Sequence, residues 1–246
     1  MRTKTLLTAV AALAAGIITS QAQVYSANIV GYVTEKYVPG FANVANPMDI
    51  GAGNSLTNVI ANPGGALDGT LVYVWNGSGY TIYTIDSSMS TGLGDSADNN
   101  PVASPTINPG QMIFFANNIG SPVTNIVTGT VHVEGGQTGS NVGATTNLLA
   151  PGYNFVASKV SVGGGVSSNL QLSNPGGVID GCLLYVPNIS NGNFLGYTIS
   201  TFDSSFGTGF GDSADNNQVA EPQIPVGTGF VFFNNTGSPY NWVQQY

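Results

Sequence analysis

The sequence predicts an all-β protein of two tandem repeats of similar topology, each a β-sandwich or jelly-roll-like unit. Three observations lead there. First, whole segments return at a near-constant offset. Asn62-Pro-Gly-Gly-Ala-Leu-Asp-Gly69 reappears as Asn174-Pro-Gly-Gly-Val-Ile-Asp-Gly181, 112 residues on, and Asp86 to Ala103 reappears as Asp203 to Ala220, 117 residues on, with 14 of 18 positions identical. Second, the ordered stretches have period two or are short β-branched and aromatic runs. Third, the separators are Gly, Pro, Asn, Asp and Ser, the turn formers, and 34 Gly with 13 Pro leave little room for helices.

Taken in order, residues 1–22 read as a secretory signal peptide. Arg2 and Lys4 precede an apolar run from Leu6 to Ile18, and Ser20-Gln21-Ala22 offers small residues for cleavage after Ala22. Residues 23–38 form an N-terminal strand, Val24 to Val38, which pairs within its own chain or extends to the sheet edge of a neighbour, with in-chain pairing the default. Residues 39–134 make the first repeat, with strands at Thr70 to Trp75, Tyr80 to Ile85, Gln111 to Ala116 and Thr124 to Glu134. The Gly-, Thr- and Asn-rich stretch 135–150 reads as a linker, and 151–246 make the second repeat. The growth of the offset from 112 to 117 places five extra residues around Asn188-Ile-Ser-Asn-Gly-Asn193, against Asn76-Gly-Ser-Gly79 in the first copy, which predicts a longer hairpin loop.

Charge narrows the partners. The whole chain carries a net charge of −8, with 4 Lys and Arg against 12 Asp and Glu, and beyond the leader only Lys36 and Lys159 remain basic. Nucleic acid and anionic membrane surfaces are excluded as partners, because both need clustered cations. No segment after the leader approaches the roughly 20 apolar residues of a transmembrane helix. A hydrophobic fraction of 42% with 11 Tyr and 11 Phe argues for a packed core rather than disorder.

The run Val24-Tyr-Ser-Ala-Asn-Ile-Val-Gly-Tyr-Val33 behind a leader, Pro39-Gly-Phe41, the Tyr73-Val74 pair, Gly79-Tyr-Thr-Ile82 and the Pro109 to Asn117 strand resemble a group of secreted two-repeat all-β bacterial proteins. The resemblance spans the chain after the leader. It implies export and β structure, and it brings no active-site residues.

Candidate chemistry is sparse. His132 is the sole histidine and lies on a strand with no counterpart in the other copy, so a nucleophile-and-base arrangement lacks its base. Cys182, where the first copy has Thr70, reads as a small packed residue. Trp75 faces Pro187 in the alignment, and the repeated pairs Tyr73 with Tyr185 and Tyr80 with Tyr197 sit in strand patterns that suit a core. The duplicated GDSADNN runs, Gly94 to Asn100 and Gly211 to Asn217, are the densest acidic clusters. Asp86, Asp95, Asp98 and Asn100, with Asp203, Asp212, Asp215 and Asn217, are the oxygen ligands a calcium ion would take. The spacing is not that of an EF-hand, and turn formation by Asp and Asn side chains is the preferred reading of the same residues.

The expectation for function is a secreted, non-enzymatic structural or surface protein outside the cell, self-assembling in a matrix, envelope layer or filament. Its partners would be further copies of itself or an extracellular polysaccharide. A carbohydrate-binding module is the alternative, and a secreted glycan-active enzyme the third reading.

Overall fold

The computed structural model describes residues 30–51, 53–131 and 143–245. The leader, Val24 to Ile29, His132 and residues 135–142 of the expected linker lie outside the described residues. Strands dominate. The single α-helix among the described residues, α1 (Leu56–Val59), is one turn long, too short to leave a periodic pattern.

The N-terminal half opens with β1 (Val30–Tyr37) and β2 (Gly40–Ala45), continues through β3 (Leu71–Trp75), β4 (Tyr80–Ile85), β5 (Leu93–Asp95) and β6 (Met112–Asn117), and closes with β7 (Val123–Thr130). The C-terminal half holds β8 (Ala144–Leu149), β9 (Gly152–Ala157), β10 (Gly164–Gly165), β11 (Leu183–Ser190), β12 (Asn193–Phe202), β13 (Phe210–Asp212), β14 (Gln223–Ile224), β15 (Gly229–Asn234) and β16 (Tyr240–Gln245). Each half contains an antiparallel five-stranded sheet, ordered β2-β6-β3-β4-β5 in one and β9-β15-β11-β12-β13 in the other, the same order once aligned residues are matched. Each also contains a two-stranded ribbon, β1 with β7 and β8 with β16. Strand β8 occupies the end of the stretch expected as a linker. Its pattern is masked in sequence by Thr145, Thr146 and Asn147, of which Thr145 and Asn147 are buried.

The N-terminal strand pairs in-chain. All eight residues of β1 meet β7, from Val30 opposite Thr130 to Tyr37 opposite Val123. That pairing joins segments nearly a hundred residues apart, which local alternation does not reveal.

Alternation then fixes the layers. In β3, Val72 and Val74 turn toward a core shared with Tyr37 of the ribbon, with Ile113 and Phe115 of β6, and with Leu56 and Val59 of α1. The second half repeats this with Leu184, Phe230, Phe232 and, from its ribbon, Leu149 and Trp242. The opposite faces of the two five-stranded sheets meet each other, packing Met112 and Phe114 against Val231 with Tyr73, Phe155, Tyr185 and Tyr197 around them. The repeated tyrosines, expected inside each unit, therefore lie between the halves. Odd positions of β3 and β11 can only face away from the cores that Val72 and Leu184 enter.

Backbone contacts between the halves are reciprocal. Ala45 N donates to Gly227 O at 2.9 Å, and the corresponding Ala157 N donates to Gly110 O at 2.8 Å. Asn43 adds a two-way bond, its Nδ2 donating to Gly229 O and its Oδ1 accepting from Gly229 N.

Candidate functional site, an aromatic cleft between the halves

The longer second hairpin shapes the junction. The extra residues, expected as a longer loop, instead lengthen strands β11 and β12, which pair up to Ser190 opposite Asn193 and turn through Asn191 and Gly192, both with positive φ (50° and 76°), the signature of a two-residue Asn-Gly turn. The tip reaches the other half, where Phe41 N donates to Gly192 O at 2.6 Å. A Cβ on Gly40 would stand 2.2 Å from that same carbonyl oxygen, so the clasp needs glycine there.

By closing on β2, the hairpin walls a cleft of 230 Å³ lined by Phe41, Tyr73, Tyr80, Phe114, Phe194 and Tyr197. Phe194 belongs to the hairpin extension. It stands 5.9 Å from Phe114 at 72° and 5.1 Å from Tyr197 at 77°, both edge-to-face arrangements. On the other wall Tyr73 and Tyr80 cross at 88° with centroids 6.2 Å apart. The phenols of Tyr80 and Tyr197, equivalent residues of the two copies, influence each other electrostatically, and burial raises both above their ordinary range. Phe114 is the floor at 8% exposure, while Phe41, Tyr80 and Phe194, at 37 to 39%, form the rim. Trp75 stacks on Phe155 of the other half at 4.7 Å and touches Tyr80 at 5.4 Å, just behind the cleft.

None of the six lining residues belongs to the expected ligand set. The hairpin extension was legible as an insertion, but nothing in its composition says that it folds back over β2. The available signal was the pair of unmatched aromatics, Trp75 against Pro187 and Phe194 within the insertion.

The GDSADNN runs form matching turns. Strand β5 ends inside the first run and β13 inside the second. Asp95 Oδ1 accepts from Ala97 N and Asp212 Oδ1 from Ala214 N, each at 2.7 Å. Asp98 accepts both the backbone and side-chain N–H of Asn100, and Asp215 those of Asn217. Asp86 and Asp203 each accept from the serine two residues on, Ser88 and Ser205, which holds both carboxyls below the usual carboxylate range. Gly94 lets Asn99 pack close, since a Cβ there would stand 2.4 Å from Asn99 Oδ1, with 2.8 Å the matching figure for Gly211 and Asn216. The eight residues thus find hydrogen-bond partners inside their own loops. Among the described residues no group of three or more His, Cys, Asp or Glu comes together to hold a metal. Cys182 is fully buried and unpaired, and burial pushes its thiol up.

One buried carboxyl belongs to the first ribbon. Glu35 Oε2 accepts from Tyr37 Oη at 2.5 Å, and Asn125 Nδ2 donates to Tyr37 Oη at 3.0 Å and to Val59 O at 2.9 Å. The other oxygen, Oε1, is buried without a partner and lies against Gly227 of the other half. Burial pushes the Glu35 carboxyl up to about 7, against the lowering effect of Tyr37 and Asn125.

The chain matches no protein-family model, no curated protein and no solved structure. No helix among the described residues is long and apolar enough to cross a membrane.

Proposed function

We propose that this is an exported, non-enzymatic surface or matrix protein of two duplicated β-sandwich-like units, which acts by binding a ligand in the aromatic cleft between them. One observation carries the reading. The five residues that distinguish the second copy serve to clasp the first half and wall a concave aromatic site. A merely structural hairpin has no need to leave large apolar rings open to solvent, and concave apolar clefts between substructures are the ordinary setting of ligand sites. Export rests on the leader at residues 1–22.

The test replaces Asn188 to Asn193 and its flanks by the shorter Asn-Gly-Ser-Gly connection of the first copy. The variant should fold, since the first hairpin already closes that way, and should lose ligand-induced stabilisation across a panel of polysaccharides and small apolar solutes. Undiminished binding would remove the cleft from consideration.

Assembly is a second reading, favoured by the outer faces of the ribbons. Tyr32 and Ile126 on one, and Leu148 and Val243 on the other, are 40 to 73% exposed. Sedimentation across a concentration series separates the two readings, because a binding module stays monomeric.

A further inference from the structure

The lining rings do more than form an apolar hollow, because their contacts run around it in one chain from Tyr80 through Tyr73, Phe41 and Phe194 to Tyr197. Phe41 lies 6.1 Å from Tyr73, Tyr73 lies 6.2 Å from Tyr80, Phe194 lies 5.1 Å from Tyr197, and Phe194 returns to Phe41 at 6.5 Å. Tyr80 and Tyr197 flank the remaining side of the hollow. Phe114 touches Tyr80 and Phe194 from beneath, at 6.1 and 5.9 Å. The four ring-to-ring steps measure 5.1 to 6.5 Å, and a group seated among rings so spaced lies within the roughly 6 Å reach of a cation–π contact. The angles between neighbouring rings, 40°, 88°, 77° and 55°, show that the rings do not form a flat platform.

We propose that the cleft is an aromatic cage for a quaternary ammonium group, the trimethylammonium head of a choline-type ligand. The inference rests on the reading of the cleft as a ligand site and names its ligand class. Three physical arguments select that chemistry. A metal ion or primary ammonium would exchange hydration for a lining that holds no carboxylate, a large loss, whereas a trimethylammonium group has no N–H hydrogen bonds to lose. A sugar needs partners for several hydroxyls, yet the only polar side-chain groups in the lining are the hydroxyls of Tyr73, Tyr80 and Tyr197. The ring faces carry negative quadrupoles, and the net charge of −8 draws cations toward the protein.

Choline chloride is titrated into the full protein at constant ionic strength, with Trp75 fluorescence and NMR shifts of the lining aromatics as readouts. Its neutral isostere 3,3-dimethylbutan-1-ol, glycine betaine and cellohexaose run in parallel. Choline is expected to bind at least tenfold more tightly than the neutral alcohol, and glycine betaine more weakly than choline because its carboxylate meets an acidic protein. Phe194→Ala should abolish choline binding. Phe194→Leu, which retains apolar bulk without a ring face, should lose choline at least tenfold while leaving the alcohol within about twofold, and a melting curve confirms that each variant is folded. Equal affinity for choline and the alcohol, or Phe194-dependent binding of cellohexaose alone, overturns the cage and leaves the cleft as a binding site. If no probe perturbs the lining rings, both readings fall.

Discussion

The two ribbons do the same work with different side chains. In the first, Tyr37 packs on Phe115 at 4.4 Å and is tied into a buried polar chain through Glu35 and Asn125. In the second, the aligned positions hold Leu149, Asn147 and Trp242, and the indole packs on Phe230 at 5.6 Å. Asn125 and Trp242 occupy the same place in their strands, and each donates a hydrogen bond to a carbonyl of the loop it covers, Val59 O at 2.9 Å and Leu170 O at 2.7 Å. What the frame demands there is one N–H donor aimed at that loop. The rest of the site is free to be polar or apolar, and the two choices carry different energetic liabilities. A buried polar chain depends on the protonation of its members, whereas a buried indole depends on filling its volume.

That contrast can be broken from either side. The largest effect is expected from Trp242→Ala, which empties a fully buried site and leaves Leu170 O with only the longer bond from Gln244 Nε2 at 3.2 Å. A loss of about 3 to 5 kcal/mol is expected for such a truncation, read by urea denaturation, with hydrogen exchange showing whether the first half stays protected. Next comes Glu35. Its carboxyl is raised from 4.5 to about 7 in the folded protein, so the folded state favours the protonated form. The stability it contributes is complete below pH 4.5 and is lost as pH rises through 7, by about 3 kcal/mol at about 1.4 kcal/mol per pH unit. Melting temperatures should therefore fall between pH 4.5 and 7 and level off above. Glu35→Gln should flatten that slope and raise the neutral-pH melting point, and a slope that survives the substitution would acquit Glu35.

The smallest effect sharpens the comparison at the clasp. Gly40 and Gly152 are aligned and have nearly the same φ, 93° and 95°, but only Gly40 lies against the hairpin tip, and a Cβ on Gly152 would meet nothing within 4 Å. Alanine at either position costs about 1 kcal/mol of backbone strain. Gly40→Ala should cost about 1 to 3 kcal/mol more, from the collision with Gly192, and equal melting points for the two variants would show that the clasp contributes no stability.

Much of the frame is legible in the chain itself, because it depends on local rules. Hydrophobic alternation marks β3, β4 and β6 within one residue and the start of β7, whose expected end at Glu134 lies outside the described residues, and the change of offset locates the extended hairpin. What stayed hidden depends on distant partners. Strand β8 reads as linker because its buried face carries Thr145 and Asn147. The short β5 lies within a run whose Asp and Asn residues signal a turn, and it gains its partner only when β4 is already in place. The cleft was least visible of all. Tyr73, Tyr80 and Tyr197 obey the strand pattern well, but alternation tells only that they share a face, not that this face meets the other sheet.

The reciprocal bonds from Ala45 to Gly227 and from Ala157 to Gly110 are those of an isologous dimer, in which one surface patch meets itself across a two-fold axis. Tyr80 and Tyr197, equivalent residues of the two halves, line the same cleft at that junction. In a dimer of identical subunits any extension of the hairpin would appear twice, and both copies of the Phe41 strand would be clasped. Carrying both halves on one chain replaces association between molecules by an effective concentration on the order of millimolar. It also lets five residues be added to one side alone, so that a two-fold junction of matched tyrosines acquires a single, one-sided mouth.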